Sequence, residues 1–290
     1  MRSGKQQSFC LLCKQRFHLN KWSTKEQERL WSAYSERKQT QQQLADDLGK
    51  SRKWVNTRLK KRPSPFINRT IQPQTIVLVI DTTYFAQFGV MLFRATNLQK
   101  NLLWYEVAYE NNDYYARGIQ ALLDAGWIIE ALVADGKPGL QKLFPFIPFQ
   151  LCQFHQFQTV TRYISKKPKM EASKELRTLL FSLKETDHAS FTYWLEQWYE
   201  RWKHFLNERT EQSSTGKRVF THRRVRSAYF SLKRHLPYLF THQQLAPSLD
   251  IPNTTNSIDG YFSHLKAKMS VHRGASKQTQ LLLINELIFL

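Results

Sequence analysis

The sequence predicts an α/β protein carrying helical additions, and three observations lead there. Ile76 to Ile80 is a run of five large apolar residues, mostly β-branched, closed by Asp81. A run that short, with no polar alternation, reads as a strand buried on both faces. Trp127 to Val133 is a second apolar run, and it too meets an acid, in Ala134-Asp135-Gly136-Lys137. Between them, Asp113 to Leu123 has apolar residues at helical spacing and stops at Ala125-Gly126. A helix joining two strands of one sheet makes those strands parallel.

Charge narrows the class of partner. The chain has 290 residues, with 43 Lys and Arg against 23 Asp and Glu, a net charge of +20. Such an excess points to a polyanion, most often nucleic acid. Apolar residues make up 41%, enough for a sizeable core, and 290 residues suffice for two domains or one with an insertion. No run of 18 apolar residues occurs, so no membrane span is expected. The N-terminus is basic but lacks the apolar stretch of a signal peptide. Three cysteines make no disulfide framework, so a reducing, cytoplasmic setting is expected.

Residues 1–22 contain Phe9-Cys10-Leu-Leu-Cys13-Lys-Gln-Arg-Phe17, a C-x-x-C knuckle that is half a zinc ribbon. A closed tetrahedral zinc site needs four ligands. Cys10 and Cys13 supply two, and His18 is a poorly spaced third. Either the chain start divides a ribbon, or the pair is vestigial. Zn²⁺ is therefore expected only at a partial site.

Residues 23–66 read as a helix-turn-helix. Thr24 to Arg37 forms a first helix, with Leu30, Trp31 and Tyr34 on one face. In Thr40 to Arg62, the small Ala45 lets two helices approach, Gly49 suits the tight turn, and Ser51 is a good N-cap. Val55 and Leu59 face inward. Arg52, Lys53, Asn56, Arg58 and Lys60 are left exposed and carry the groups that DNA phosphates and base edges need. An ordinary basic helical hairpin is the competing reading. Lys60 to Pro65 is a linker, because its two prolines stop a helix.

Residues 72–156 continue from the Asp81 strand into strands at 88–95 and 102–108, an antiparallel meander, before the helix and the Asp135 strand. Asp81 and Asp135 both fall at carboxyl ends of strands. If the strands are neighbours, the two carboxylates can share a hard divalent cation, which favours oxygen ligands. A further short strand runs through Pro148 to Cys152 into a helix bearing His155. Cys152 and His155 could be metal ligands or a buried thiol with a hydrogen-bonded imidazole, and the second reading is preferred. Residues 157–247 read as a helical insertion. Phe191, Trp194, Leu195, Trp198, Trp202 and Phe205 form one stripe, expected to be core. Arg223, Arg224, Arg226, Lys233 and Arg234 make a basic segment, expected to meet phosphates.

Several stretches together resemble bacterial insertion-sequence transposases of the Mutator-like superfamily, in their variant zinc-binding form. Asp135-Gly-Lys-Pro-Gly139-Leu is similar to that family's D-G-x-x-G-L stretch, and Cys152-Gln-Phe-His155 to the C-x-x-H that follows it. Asn253-Thr-Thr-Asn256-Ser-Ile-Asp259-Gly-Tyr-Phe resembles the family's third-acid helix. The N-terminal knuckle and helix pair also look like that subgroup, so the resemblance spans nearly the whole chain. It implies a ribonuclease H-like catalytic domain over 72–156 and 248–290, interrupted by the helical insertion. It implies that Asp81, Asp135 and Asp259 hold two Mg²⁺ or Mn²⁺ ions, and that His155 lies beside them and steadies DNA. Asp259 departs from the family's usual Glu. The activity implied is a DNA transposase that cuts at terminal inverted repeats and joins them to target DNA, acting as a homodimer or larger assembly, cytoplasmic and associated with the nucleoid. Two other readings stay open. One is a decayed copy that only binds DNA. The other is a structure-specific nuclease, which the helix-turn-helix disfavours.

Overall fold

The first described elements are two short strands, β1 (Gln7–Phe9) and β2 (Arg16–His18), paired antiparallel with Ser8 opposite Phe17. This computed structural model describes residues 7–9, 16–18, 24–35, 37, 39–60, 71–212 and 216–289. Cys10 and Cys13, the proposed half-site for zinc, lie outside them. By internal packing the chain forms one unit of residues 1–70 and 263–290 and another of residues 71–262.

In the smaller unit, helix α1 (Thr24–Ser35) ends two residues before the expected Arg37, and α2 (Gln41–Leu48) and α3 (Arg52–Lys60) flank the expected turn at Gly49. Local chemistry explains each end. Thr40 accepts from the Gln43 backbone while the Gln43 side chain accepts from the Thr40 N–H at 2.8 Å, a reciprocal cap that fixes where α2 starts. Gly49 closes α2 at φ 60°, a left-handed conformation with little cost only for glycine. Ser51 Oγ accepts from Trp54 N at 3.2 Å and opens α3. Leu30, Trp31, Leu44, Val55 and Leu59 are all buried, so three amphipathic helices share one small core. Residues 263–290 cluster with these helices rather than with the sheet that the sequence assigned them to.

The larger unit is mixed α/β. Strands β3 (Thr75–Tyr84), β4 (Gly89–Ala95) and β5 (Lys100–Val107) form the predicted antiparallel meander. Helix α4 (Asn112–Asp124) crosses over to β6 (Ile128–Ala134), which lies parallel to β3. Strand β7 (Phe149–Leu151) is parallel to β6, so the sheet order is β5-β4-β3-β6-β7. Ile76 to Ile80 are buried without interruption, as a central strand covered on both faces requires. Each such side chain contributes roughly 1.5–3 kcal/mol by leaving water.

Helix α4 approaches the sheet closely because Gly118 has no side chain. A Cβ there would fall 2.1 Å from the fully buried Phe93 ring. Gly118→Ala is expected to lower stability by about 2–3 kcal/mol, the overpacking penalty outweighing the better helix propensity of alanine. Urea unfolding reads this directly.

After β7 come helices α5 (Gln153–Ile164), α6 (Glu171–Ser182) and α7 (His188–Asn207). A small hairpin, β8 (Arg209–Glu211) with β9 (Arg218–Phe220), precedes α8 (Arg223–Leu239) and the short α9 (Thr241–Gln244). Among the described residues the insertion is thus helical but for one hairpin that the sequence does not announce. In the aromatic stripe Phe191, Leu195 and Trp198 are buried and Trp202 and Phe205 partly so, while Trp194 is exposed. The end of α8 clamps edge strand β7. Buried Gln150 donates to the Leu239 carbonyl at 3.0 Å, and Thr241 donates to the Phe149 carbonyl at 2.8 Å. The chain ends with α10 (Asn256–Ser270) and α11 (Lys277–Phe289). Among the described residues no helix is long and apolar enough to cross a membrane.

Candidate active site

Two adjacent parallel strands place the first two acids together. Leu78 pairs with Leu132 and Val79 with Val133. The same register carried forward sets Asp81 beside Asp135, on neighbouring strands about 4.8 Å apart. Asp81 is not past its strand, as the sequence suggests, but inside it, because β3 runs on to Tyr84 against β4. That fixes its backbone more firmly than a turn would. Asp135 follows directly on the end of β6.

The next strand supplies a third row. Ala134 pairs with Leu151, and Cys152 N donates to the Ala134 carbonyl at 2.8 Å, so Cys152 is level with Asp135. Cys152 has no exposed surface, and its sulfur accepts from Thr255 N at 3.3 Å and lies 3.5 Å from the Thr255 hydroxyl. Gln153 N donates to the Asn253 carbonyl at 2.9 Å, and Asn253 Nδ2 donates to Gln153 Oε1 at 3.1 Å. These four contacts pin the segment before α10 to the carboxyl end of β7. Asp259 is in the first turn of α10, near enough that its charge acts on Asp81. The C-x-x-H stretch and the T-T-N-S stretch, 103 residues apart, thus form one substructure that delivers the third acid.

The electrostatics fit that crowding. Burial pushes the Asp81 carboxyl up to about 7; the charges of Asp259 and Asp135 push the same way, while His155 and the hydrogen bond from Thr82 N oppose. Asp135 is raised as well, first by burial and then by the charge of Glu110. His155 is pushed up to about 9, first by its hydrogen bond with Cys152 and further by the Asp81 and Asp135 charges. The Cys152 thiol is held below its ordinary value because the hydrogen bond and charge of His155 outweigh burial.

Glu110 is a fourth acid that the sequence reading passes over. It sits between β5 and α4, accepting from the Thr82 hydroxyl at 3.0 Å and from the Tyr115 hydroxyl. Lys137 Nζ donates to its backbone carbonyl, and Asn112 Nδ2 donates to the Pro138 carbonyl at 2.9 Å. The loop after Asp135 is therefore tied to the start of α4. In sequence, Tyr109-Glu110-Asn111-Asn112-Asp113 looks like a solvated turn leading into a helix cap. Only the fold brings one acid of that turn near enough for its charge to act on Asp135.

Among the described residues no three His, Cys, Asp or Glu side chains converge closely enough to make a ready-made metal cage. The donor chemistry nevertheless suits a hard dication: anionic oxygens on rigid backbone, partly desolvated and mutually repelling, as their raised protonation shows.

The proposed DNA-binding residues fall in the smaller unit. Arg52 and Lys53 are exposed on α3; Asn56 and Arg58 are half-buried, with the Arg58 guanidinium over the Trp54 ring at 5.2 Å. Lys60 ends α3, and its side chain lies outside the described residues. The basic segment of α8 divides in two. Arg224 donates to the carbonyls of Tyr163 and Arg162, closing the end of α5, and Arg226 donates to Asn207 while stacking on Phe220 and Phe230. Those two are structural. Lys233 is exposed but lies over the Tyr199 and Tyr229 rings at 5.8 and 5.9 Å, while Arg223 and Arg234 are exposed without such a contact among the described residues. No protein-family model matches this chain, and no curated protein matches it.

Proposed function

We propose that the chain is a DNA transposase of the three-aspartate kind, built on a ribonuclease H-like sheet, with α2 and α3 acting as a helix-turn-helix that binds element ends. One observation carries the reading. Asp81, Asp135 and the helix bearing Asp259 are brought to the carboxyl edge of one mixed sheet by parallel pairing and by the Cys152–Thr255 anchor. An antiparallel meander followed by a helix and a parallel strand supports it, and the net charge of +20 suits a DNA substrate.

Asp81, Asp135 and Asp259 would hold Mg²⁺ or Mn²⁺. Bound there, such ions supply an activated water or 3′-hydroxyl nucleophile and stabilise the leaving oxygen of an in-line displacement. The chain's own groups do the rest. The β3–β6 pairing fixes two carboxylates at a constant separation, and the anchor on Cys152 sets the third. His155 stays cationic at neutral pH and offsets acid charge, which lessens repulsion of the incoming phosphate. Glu110 and Lys137 hold the loop after Asp135 in place.

The test is cleavage of labelled DNA carrying the repeats that flank the reading frame, with Mg²⁺ or Mn²⁺. Asp259→Ala is expected to lose cleavage by at least about 10²-fold, and Asp259→Glu to keep or raise it. Binding without cleavage in all three proteins would replace this reading with that of a non-catalytic DNA-binding protein.

A further inference from the structure

A cleft of about 460 Å³ opens beside Gly136, next to Asp135, between α5, α8 and the end of β9. Its walls combine cations and aromatic rings: Arg223, Arg234, Tyr163, Phe220, Phe230 and His235. Among the described residues neither Arg223 nor Arg234 is in an ion pair or a side-chain hydrogen bond, whereas Arg224 and Arg226 are hydrogen-bonded. Arg226 makes the wall rigid, its guanidinium 4.0 Å from the Phe220 ring centroid and 4.6 Å from that of Phe230. Tyr163 keeps an exposed ring at the mouth.

The floor is a built polar relay. Gln156 is 2% exposed. Its Nε2 donates to Ser231 Oγ at 3.2 Å, so its Oε1 is the acceptor facing His235 Nδ1 at 2.7 Å. His235 therefore carries its proton on Nδ1, and Nε2 keeps a lone pair in the neutral ring. Burial and the Arg234 charge hold this imidazole below its ordinary value, which maintains the neutral form. The ring packs against Gly136, where an added Cβ would come 3.4 Å from it.

We infer that this cleft takes one unpaired nucleotide of the DNA strand being processed, its phosphate on Arg223 and Arg234 and its base against Tyr163 and Phe230. The inference rests on the DNA-processing reading above. Size separates it from duplex binding. The volume is that of a small-molecule site and admits one nucleotide but no double helix. A positively charged groove lined by aromatic rings is the combination that holds single strands. A neutral His235 with a lone pair would be a poor phosphate ligand but can accept from the exocyclic amine of a base.

The experiment uses the full chain with EDTA at fixed salt. Fluorescence anisotropy compares a short blunt duplex with the same duplex bearing an unpaired 3′ tail. Wild type is expected to bind the tailed DNA about tenfold more tightly, and the preference to shrink to about twofold or less in Tyr163→Ala and in Arg223→Ala/Arg234→Ala. These side chains are exposed, and the Tyr163 carbonyl that Arg224 uses survives the substitution. Equal binding of both DNAs by wild type would overturn the inference and leave the DNA reading standing. So would a tail preference that persists in both variants, since the nucleotide then sits elsewhere. Failure of wild type to bind either DNA would overturn both.

Discussion

Asp135→Ala is expected to bind end-repeat DNA with nearly wild-type affinity and to cleave it about 10³-fold more slowly. Removing one of three carboxylates takes away several kcal/mol of transition-state charge stabilisation, and each 1.36 kcal/mol is tenfold in rate. Affinity is spared because the proposed recognition residues, Arg52 and Lys53, lie in the smaller unit on α3. The converse variant, Arg52→Ala/Lys53→Ala, is expected to bind about tenfold more weakly with a salt slope reduced by about 2, since two phosphate contacts are lost. Once saturated with DNA, it should cleave at the wild-type rate. Gel-shift titration over a salt series, paired with single-turnover cleavage, measures both. If Asp135→Ala cleaves within a few-fold of wild type, the site at the sheet edge is not the reaction centre.

Much of that site is legible in the sequence because it follows from short-range pattern. The apolar run before Asp81 and the helix before the Asp135 strand point to a parallel pair; that the two strands are neighbours, and that a register shift between Ile76 and Val77 brings Asp81 level with Asp135, only the fold shows. Other features are absent from any local window. Glu110 reads as part of a capping turn, and its partners Thr82 and Tyr115 lie on different elements. Cys152 reads as a buried thiol opening a helix, but no local window shows that its sulfur holds Thr255 across 103 residues. The α8 arginines look equivalent in sequence, yet Arg224 is spent on the carbonyls ending α5 and Arg223 is not. Charge counts foresee how many cations exist. Tertiary packing decides which ones are left for a ligand.

The placement of Asp81 has a thermodynamic consequence that needs no catalysis to observe. Its carboxyl titrates near 7 in the folded chain against an ordinary value of 3.8. The folded-state value is raised, so its contribution to stability is fully present below about 3.8 and is lost as the pH climbs through about 7. At pH 8 the buried carboxylate costs on the order of 4 kcal/mol, at 1.36 kcal/mol per unit of displacement. Asp81→Asn keeps the shape and the acceptor for Thr82 N but carries no charge. It is therefore expected to be more stable than wild type by that order at pH 8 in EDTA, and nearly equal to it at pH 4. Urea unfolding at the two pH values reads the difference. Millimolar Mg²⁺ or Mn²⁺ should then narrow the gap at pH 8 by stabilising wild type and not the variant, because a ligand that binds only the folded state stabilises it in proportion to its affinity. A site selected only to fold would not keep an acid at a position where asparagine is better. A gap at pH 8 that divalent cations close would mean that the cost of burying Asp81 is met by a cation in the working protein. A gap absent at pH 8 would mean that water reaches Asp81 freely, and the sheet edge would lose its claim to be a desolvated reaction centre.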